Sequence, residues 1–427
     1  MRILPTPIRF NETTLFRMRM KTKKKYNSAV FGAAFGGAIA LAALVGSSAL
    51  SPSVAFTRIA STTAAVVADE VPTAVHVKTP DSVRAVYMSQ CAAGTPSFRG
   101  NLIELIDTTE LNAIIIDIRD YTGKIAFPSD DPVLGPMVSD ECGAKDMQAF
   151  VERLHGKGIY VIGRVTVFQN PYWTSVHPEH AVQSTKGGVW KDHKGLSFVD
   201  VSARPYWETV VTLAKESYAI GFDEINFDYI RFPSDGPMAE ADATWSRGMS
   251  KPEALEQFFK YLHNELAGSG MVTSADLFGM TTTNTDDLNI GQVLERTLPY
   301  FDYVAPMVYP SHYPKGFHGY SNVNENSYGI VQFSMSEAVR RTVATTSTVA
   351  GLTHTRIGTS TPALYAKPAY PASKMRPWLQ DFDYPVDYTP AMVRAQIQAN
   401  ADAGLTSYMF WDPANKYSSL RQILEQE

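Results

Sequence analysis

Six aspartates fall late in short apolar segments spread along most of the chain: Asp117, Asp120, Asp228, Asp276, Asp381 and Asp412. Carboxyl groups crowded into a partly dry pocket repel one another and raise some of their pKa values. One can then hold a proton as an acid while its neighbour stays ionised. Acid/base cleavage of a glycosidic bond needs that division, with one group protonating the leaving oxygen and another attacking the sugar or activating water. A structural ion-pair network is the rival use for several of these acids.

The segment Glu224-Ile225-Asn226-Phe227-Asp228-Tyr229-Ile230-Arg231-Phe232 alternates with period two, which places Glu224, Asn226 and Asp228 on one face of a strand. In a parallel sheet covered on both faces, such polar residues must point to a barrel axis and find partners there. Arg164 shares a face with Tyr160, Ile162, Thr166 and Phe168, while Val161, Val165 and Val167 form the opposite, aliphatic face. Arg164 is therefore expected inside, needing an acidic partner such as Asp117 or Asp228. The rings of Tyr172, Trp173, Trp190, Tyr309, Tyr313, Trp378, Trp411 and Tyr417 are expected at or beyond strand ends, where their apolar faces suit sugar packing. Candidate substrate contacts are thus Arg164, Trp190, Asn226, Arg231, Tyr309, His312, Trp378 and Trp411. His177-Pro178-Glu179-His180 lacks the helical spacing of a zinc motif, and its proline opposes a regular helix. No metal or other cofactor is expected.

Positioning these residues requires a repeated frame. From Val83 onward, β-branched or aromatic runs alternate with helical-period segments, the pattern of βα units around a parallel sheet. The expected strands are Val83–Ser89, Ala113–Asp120, Tyr160–Phe168, Glu224–Phe232, Val272–Gly279, Tyr303–Pro310, Met375–Phe382 and Ser407–Asp412. Helices are expected over Leu102–Leu111, Lys145–His155, Pro205–Ile220, Pro252–Leu266, Ile290–Leu298, Tyr328–Thr345, Pro390–Ala403 and from Ser418. The fold class is α/β, a single (β/α)8 TIM barrel with long βα loops, notably Gln169–Arg204 and Pro233–Lys251. Thr346–Lys374 reads as an irregular insertion before the seventh strand.

The chain divides into a basic N-region over 1–28, an uncharged Ala/Gly/Val/Leu run over 29–50, a Ser/Thr/Ala linker over 51–82 and the barrel over 83–427. The basic cluster Lys21–Lys25 followed by this run reads as a signal peptide or transmembrane anchor preceding the barrel, so an exported protein is expected, secreted if cleaved and held by the membrane if not. With 38 Lys+Arg against 43 Asp+Glu and a net charge of −5, the barrel region shows no basic stripe and nucleic acid is not expected as a partner. Cys91 and Cys142 are too few for a disulfide framework. They are either two buried thiols or one bridge at a common end of the barrel.

The blocks Gly221–Pro233, Ser274–Gly279, Pro306–Tyr313 and Arg376–Phe382, with His177–Glu179, Gly188–Asp192, Gly195-Leu196 and Val393–Ala399, resemble a family of bacterial TIM-barrel proteins grouped with the glycoside hydrolases and catalogued as a domain of unknown function. The resemblance runs in order from about Val83 to Tyr417. It implies a carbohydrate substrate, with Asp228 as nucleophile or base and Asp276 as the leading proton donor, Asp381 or Asp120 being the alternatives. Two departures stand out: Asp412 follows Trp411 where relatives tend to carry Asn, and the Thr346–Lys374 segment is longer than usual. The function expected is hydrolysis of O-glycosidic bonds in a polysaccharide or cell-envelope glycan. A carbohydrate-binding barrel without turnover, or a metal-dependent hydrolase or deacetylase using several of His177, His180, His193 and His312, are the alternatives.

Overall fold

The structure, a computed structural model, describes residues 74–425. The basic N-region, the apolar run and most of the linker lie outside the described residues. Among the described residues, no helix is long and apolar enough to cross a membrane.

Eight strands, β1 Arg84–Met88, β2 Ala113–Arg119, β3 Tyr160–Thr166, β4 Glu224–Asp228, β5 Val272–Phe278, β6 Tyr303–Met307, β7 Trp378–Gln380 and β8 Tyr408–Trp411, pair in chain order into a closed barrel. Every neighbouring pair is parallel, and β8 closes on β1 through Arg84 opposite Tyr408. A helix follows each strand in turn: α1 Pro96–Asp107, α2 Met147–His155, α3 Arg204–Ala219, α4 Lys251–Leu266, α5 Leu294–Thr297, α6 Ser327–Val343, α7 Pro390–Asp402 and α8 Ser418–Leu424. The architecture expected of the sequence is the one found.

Strand alternation sorts the core into two shells. Ala85, Tyr87, Ala113, Ile115, Tyr160, Ile162, Trp378 and Met409 pack together inside the barrel. Val86, Ile114, Ile116, Val161, Val165 and Phe227 face outward and pack with helix residues such as Leu102, Phe150, Trp207 and Phe258. Burial of each large side chain contributes about 1.5–3 kcal/mol. Gly163 is required in β3 by close packing, since a Cβ there would stand 2.0 Å from Cδ1 of Ile118.

The strand-starting end of the barrel is filled. Arg376 donates to Glu224 at 2.7 Å, Tyr160 donates to the same carboxylate oxygen at 3.0 Å, and the hydroxyls of Thr79 and Tyr160 meet at 3.0 Å. The chain reaches the barrel at this end, where the Val77 amide donates to Asp223 at 2.7 Å.

Several boundaries differ from expectation for local reasons. The strand starting at Glu224 stops at Asp228, because Tyr229 adopts φ 51°, a left-handed conformation that breaks the extended run. α1 starts early because Pro96, with its fixed φ, occupies the first helical turn behind Thr95. The insertion before β7 is not irregular throughout: Thr346–Ser347, Leu364–Ala366 and Thr355–Ile357 make a small antiparallel sheet, none of whose residues is buried. Cys91 and Cys142 are joined in a disulfide, which links the short helix Gln90–Ala93 after β1 to the loop after β2.

Candidate active site

Arg164 projects from β3 into the barrel mouth and gathers acids from three strands. Its Nη1 donates to Asp117 Oδ1 of β2 at 2.6 Å, its Nε to Asp228 Oδ2 of β4 at 3.1 Å, and its Nη2 to the same Asp228 oxygen. Asp276 Oδ2 of β5 stands 3.9 Å from Nε. The guanidinium also lies over the Trp411 ring of β8, with 4.8 Å to its centroid. Trp411 in turn stacks on Tyr87 at 3.9 Å, and Tyr87 donates its hydroxyl to Asp117 at 2.6 Å. Burial acts against the charge of Arg164, but Asp117 and Asp228 outweigh it and hold its pKa well above the usual arginine range.

Asp276 differs from its neighbours. Its Oδ1 accepts from Asn226 Nδ2 and from Trp378 Nε1, each at 2.8 Å, and Asn226 also donates to Ser274 at 3.0 Å. Its Oδ2 has no hydrogen-bond partner. Burial, followed by the charge of Asp228, raises the Asp276 pKa well above the carboxylate range, against the lowering pull of Arg164 and the two donors. Asp117 is raised too, by burial, with Arg164 opposing.

Above these residues a pocket of about 420 Å³ opens at the carboxyl ends of the strands. The candidate catalytic residue Asp228 and the candidate substrate contacts Arg164, Arg231, Tyr309, His312 and Trp411 line it. The Asp228 carboxylate is fixed at its rim by its own following amide, Tyr229 N–H, at 2.5 Å. Burial and the nearby Asp276 and Asp228 push the Tyr309 hydroxyl well above its ordinary pKa, and burial lowers that of His312.

Other candidates stand elsewhere. Asn226, Trp378, Asp117 and Asp276 lie beneath the pocket, inside the barrel, where they hold the acids instead of meeting solvent. Asp276, only 1% exposed, does not line the pocket, whereas Asp228 on the neighbouring strand does. Asp120 closes a turn, accepting from the amide and hydroxyl of Thr122. Asp412 accepts the amides of Ala414, Lys416 and Tyr417 at 2.7–2.9 Å, so its carboxylate is spent on the loop after β8. Asp381 turns toward α8, where the Leu420 amide reaches it at 3.4 Å, and burial raises its pKa to about 8. Trp190 is core: it packs with Val182 and Phe198 and donates to the Pro237 carbonyl at 3.1 Å.

The pocket also uses residues that the sequence did not single out: Lys194, Tyr229, Phe278, Met280, Met307 and Phe382. Three of them, Lys194, Tyr229 and Phe382, directly follow a residue that was singled out, while Phe278 and Met307 end β5 and β6, so the available signal was a place at or just past a strand end. His177, Glu179 and His180 come within 4.8 Å of one another outside the pocket. There, His180 Nδ1 accepts from Trp173 Nε1 at 3.2 Å. In the neutral ring this puts the proton on Nε2, the nitrogen facing Glu179 at 3.7 Å, which then has no lone pair for a cation. His193 lies apart, 3.7 Å from Asp235.

A closed (β/α)8 barrel whose mouth presents an Arg-bound aspartate among aromatic rings has the architecture of the barrel glycoside hydrolases. The chain belongs to the family described as "Putative glycosyl hydrolase domain", which matches residues 85–417. Among solved structures it is similar to the glycoside hydrolase domain of PgaB (BpsB) from Bordetella bronchiseptica, with 15% identity over 81% of this chain and 99% of that one and a TM-score of 0.54. It is also similar to the glycoside hydrolase domain of PelA from Pseudomonas aeruginosa, at 13% identity over 80% and 98% with a TM-score of 0.42. A hypothetical protein from Ruminiclostridium thermocellum matches at 29% identity over 48% of this chain and 98% of its own, with a TM-score of 0.41. The likeness to PgaB is one of fold. No curated protein matches the sequence.

Proposed function

We propose that this chain hydrolyses O-glycosidic bonds of a polysaccharide or cell-envelope glycan, with Asp228 as the carboxylate that meets the substrate and Asp276 as the proton-holding partner. The observation that carries this reading is the sharing of Arg164 by two aspartates in unlike surroundings. Asp228 is ion-paired and lines the pocket, and Asp276 is buried beneath it with a strongly raised pKa. That contrast supplies the division of labour that glycoside cleavage requires. Asp228 acts on the anomeric carbon directly or by taking a proton from water. The proton for the leaving oxygen starts at Asp276 Oδ2, whose near neighbours are Arg164 and Asp228. The family assignment and the aromatic lining support a sugar as substrate.

A second reading, a carbohydrate-binding barrel without turnover, is favoured by the placement of Asp276 outside the pocket lining. A glycan-panel hydrolysis screen of the full chain, with and without chelator, separates the readings. Products that disappear in Asp228→Asn support the hydrolase. Binding without products in every case supports the second reading, and loss of products with chelator would point to a metal-dependent hydrolase. The disulfide between Cys91 and Cys142 and the basic and apolar leading segments support an extracytoplasmic location, since such bridges persist in oxidising compartments.

A further inference from the structure

We propose that the pocket is built for a glycan bearing an anionic substituent, and that Arg231 and Lys194 receive that group. The inference rests on reading the pocket as a glycan site and adds the class of sugar. The charged residues lining the pocket are Arg164, Lys194, Asp228 and Arg231. Arg164 is already shared by Asp117 and Asp228, so Lys194 and Arg231 are the lining cations that have no acid at ion-pair distance, in a chain whose net charge is −5. Among the described residues, neither Arg231 nor Lys194 forms an ion pair.

Arg231 is half-buried and oriented by uncharged groups, while Asp228 and Asp192 act on it only from beyond ion-pair distance. Its Nη1 donates to the Phe232 carbonyl and the Ser234 hydroxyl, both at 3.1 Å. Its guanidinium carbon lies 4.9 Å from the Tyr229 ring centroid and 5.3 Å from that of Phe278. Asp192, in the loop that carries Lys194, is an acid that could have served as partner. Its Oδ1 instead accepts the amides of Lys194 and Leu196, each at 2.8 Å. Desolvating a guanidinium without a counter-ion is costly, and an arriving anion offsets that cost. The planar fork matches carboxylate, sulfate and phosphate oxygens in pairs. Tyr309, Phe382 and Trp411 supply the aromatic lining on which a sugar ring packs. A uronic acid, a sulfated sugar and a phosphate-linked sugar polymer share the required chemistry.

The test is calorimetric titration of the full chain, wild type and Asp228→Asn, with four oligomers of matched length: a galacturonan, a sulfated galactan, a phosphodiester-linked glycan and a neutral glucan. At least one acidic oligomer should bind about tenfold or more tightly than the glucan, a difference of about 1.4 kcal/mol, with the advantage shrinking as salt rises. Arg231→Gln and Lys194→Ala, each shown to be folded by its melting temperature, should remove most of that advantage, and Arg231→Lys should keep part of it. The acidic oligomer that binds identifies the source of the anion. Equal affinity for all four, or an unchanged preference in folded Arg231→Gln, overturns the inference. Neutral glycans cleaved without acidic preference would leave the hydrolase reading standing and remove this one. Arg231-dependent acidic binding without any cleavage would do the reverse.

Discussion

Arg164 grips Asp228 with two of its nitrogens, Nε at 3.1 Å and Nη2, while its remaining nitrogen holds Asp117 at 2.6 Å. One cation therefore fixes the acids of β2 and β4 and lies within 4 Å of the acid of β5. Removing it strands charges in the barrel mouth.

Arg164→Met should lower stability by about 3–5 kcal/mol at neutral pH, the usual cost of breaking a buried pair from one side. Burial already raises the Asp117 pKa against the pull of Arg164, so without the cation Asp117 ionises still less readily in the folded state than in the unfolded chain. Its penalty is therefore small below the unfolded carboxylate pKa and grows as pH rises above it. Urea unfolding at pH 4 and pH 8 reads this, and equal losses at the two pH values contradict it.

Asp228→Asn should cut turnover by about 10²–10⁴-fold while the affinity for the glycan that is cleaved stays within a few-fold. Arg164 keeps Asp117 in this variant, so the fold persists. Single-turnover rates and a binding isotherm on the same substrate make the comparison; wild-type turnover in the variant refutes the role given to Asp228.

Trp378→Phe removes one of the two donors to Asp276 Oδ1. A hydrogen bond to a carboxylate favours the charged form, so its loss raises the Asp276 pKa further. If Asp276 supplies the proton, activity falls as pH rises through its pKa, and this alkaline limb should move to higher pH in Trp378→Phe. A limb that stays in place or moves down argues that Asp276 does not titrate in the reaction.

Asp381, raised to about 8 by burial, binds a proton in the folded state that the unfolded chain has already lost across roughly pH 4–8. It therefore costs stability increasingly as pH climbs through that window. Asp381→Asn should flatten the decline in melting temperature between pH 5 and pH 8, with little effect at pH 4. A steeper decline would mean that the carboxylate has a partner at alkaline pH.

The Cys91–Cys142 bridge closes a loop with a sequence separation of 51 residues, worth about 4 kcal/mol if loop entropy dominates. The double variant Cys91→Ser/Cys142→Ser should unfold at correspondingly lower denaturant. Its KM should be unchanged, because neither residue lines the pocket.

Period-two alternation in the sequence was enough to place Arg164, Asn226 and Asp228 inside a barrel, since a residue's face follows from its parity. Depth was harder to read. Asn226 and Trp378 were expected to touch substrate but sit one layer below it, and parity says nothing about layers. Asp412 and Asp120 look like mouth acids by position, yet backbone amides a few residues downstream take their oxygens, a local turn choice that hydrophobic patterning does not report. Tyr229 was placed inside a strand because its neighbours are β-formers, and its positive φ is set by the tertiary turn out of the barrel. Trp190 illustrates the ambiguity of aromatic residues in long loops: the same ring serves a sugar or a small core, and here Val182 and Phe198 claim it.

The contacts of Val77 with Asp223 and of Thr79 with Tyr160 moor the incoming chain at the foot of the cylinder. Residues 77–79 thus meet the cylinder at the end opposite its mouth, so that changes to this short stretch bear on the seating of the barrel floor and leave the sugar-facing rim untouched.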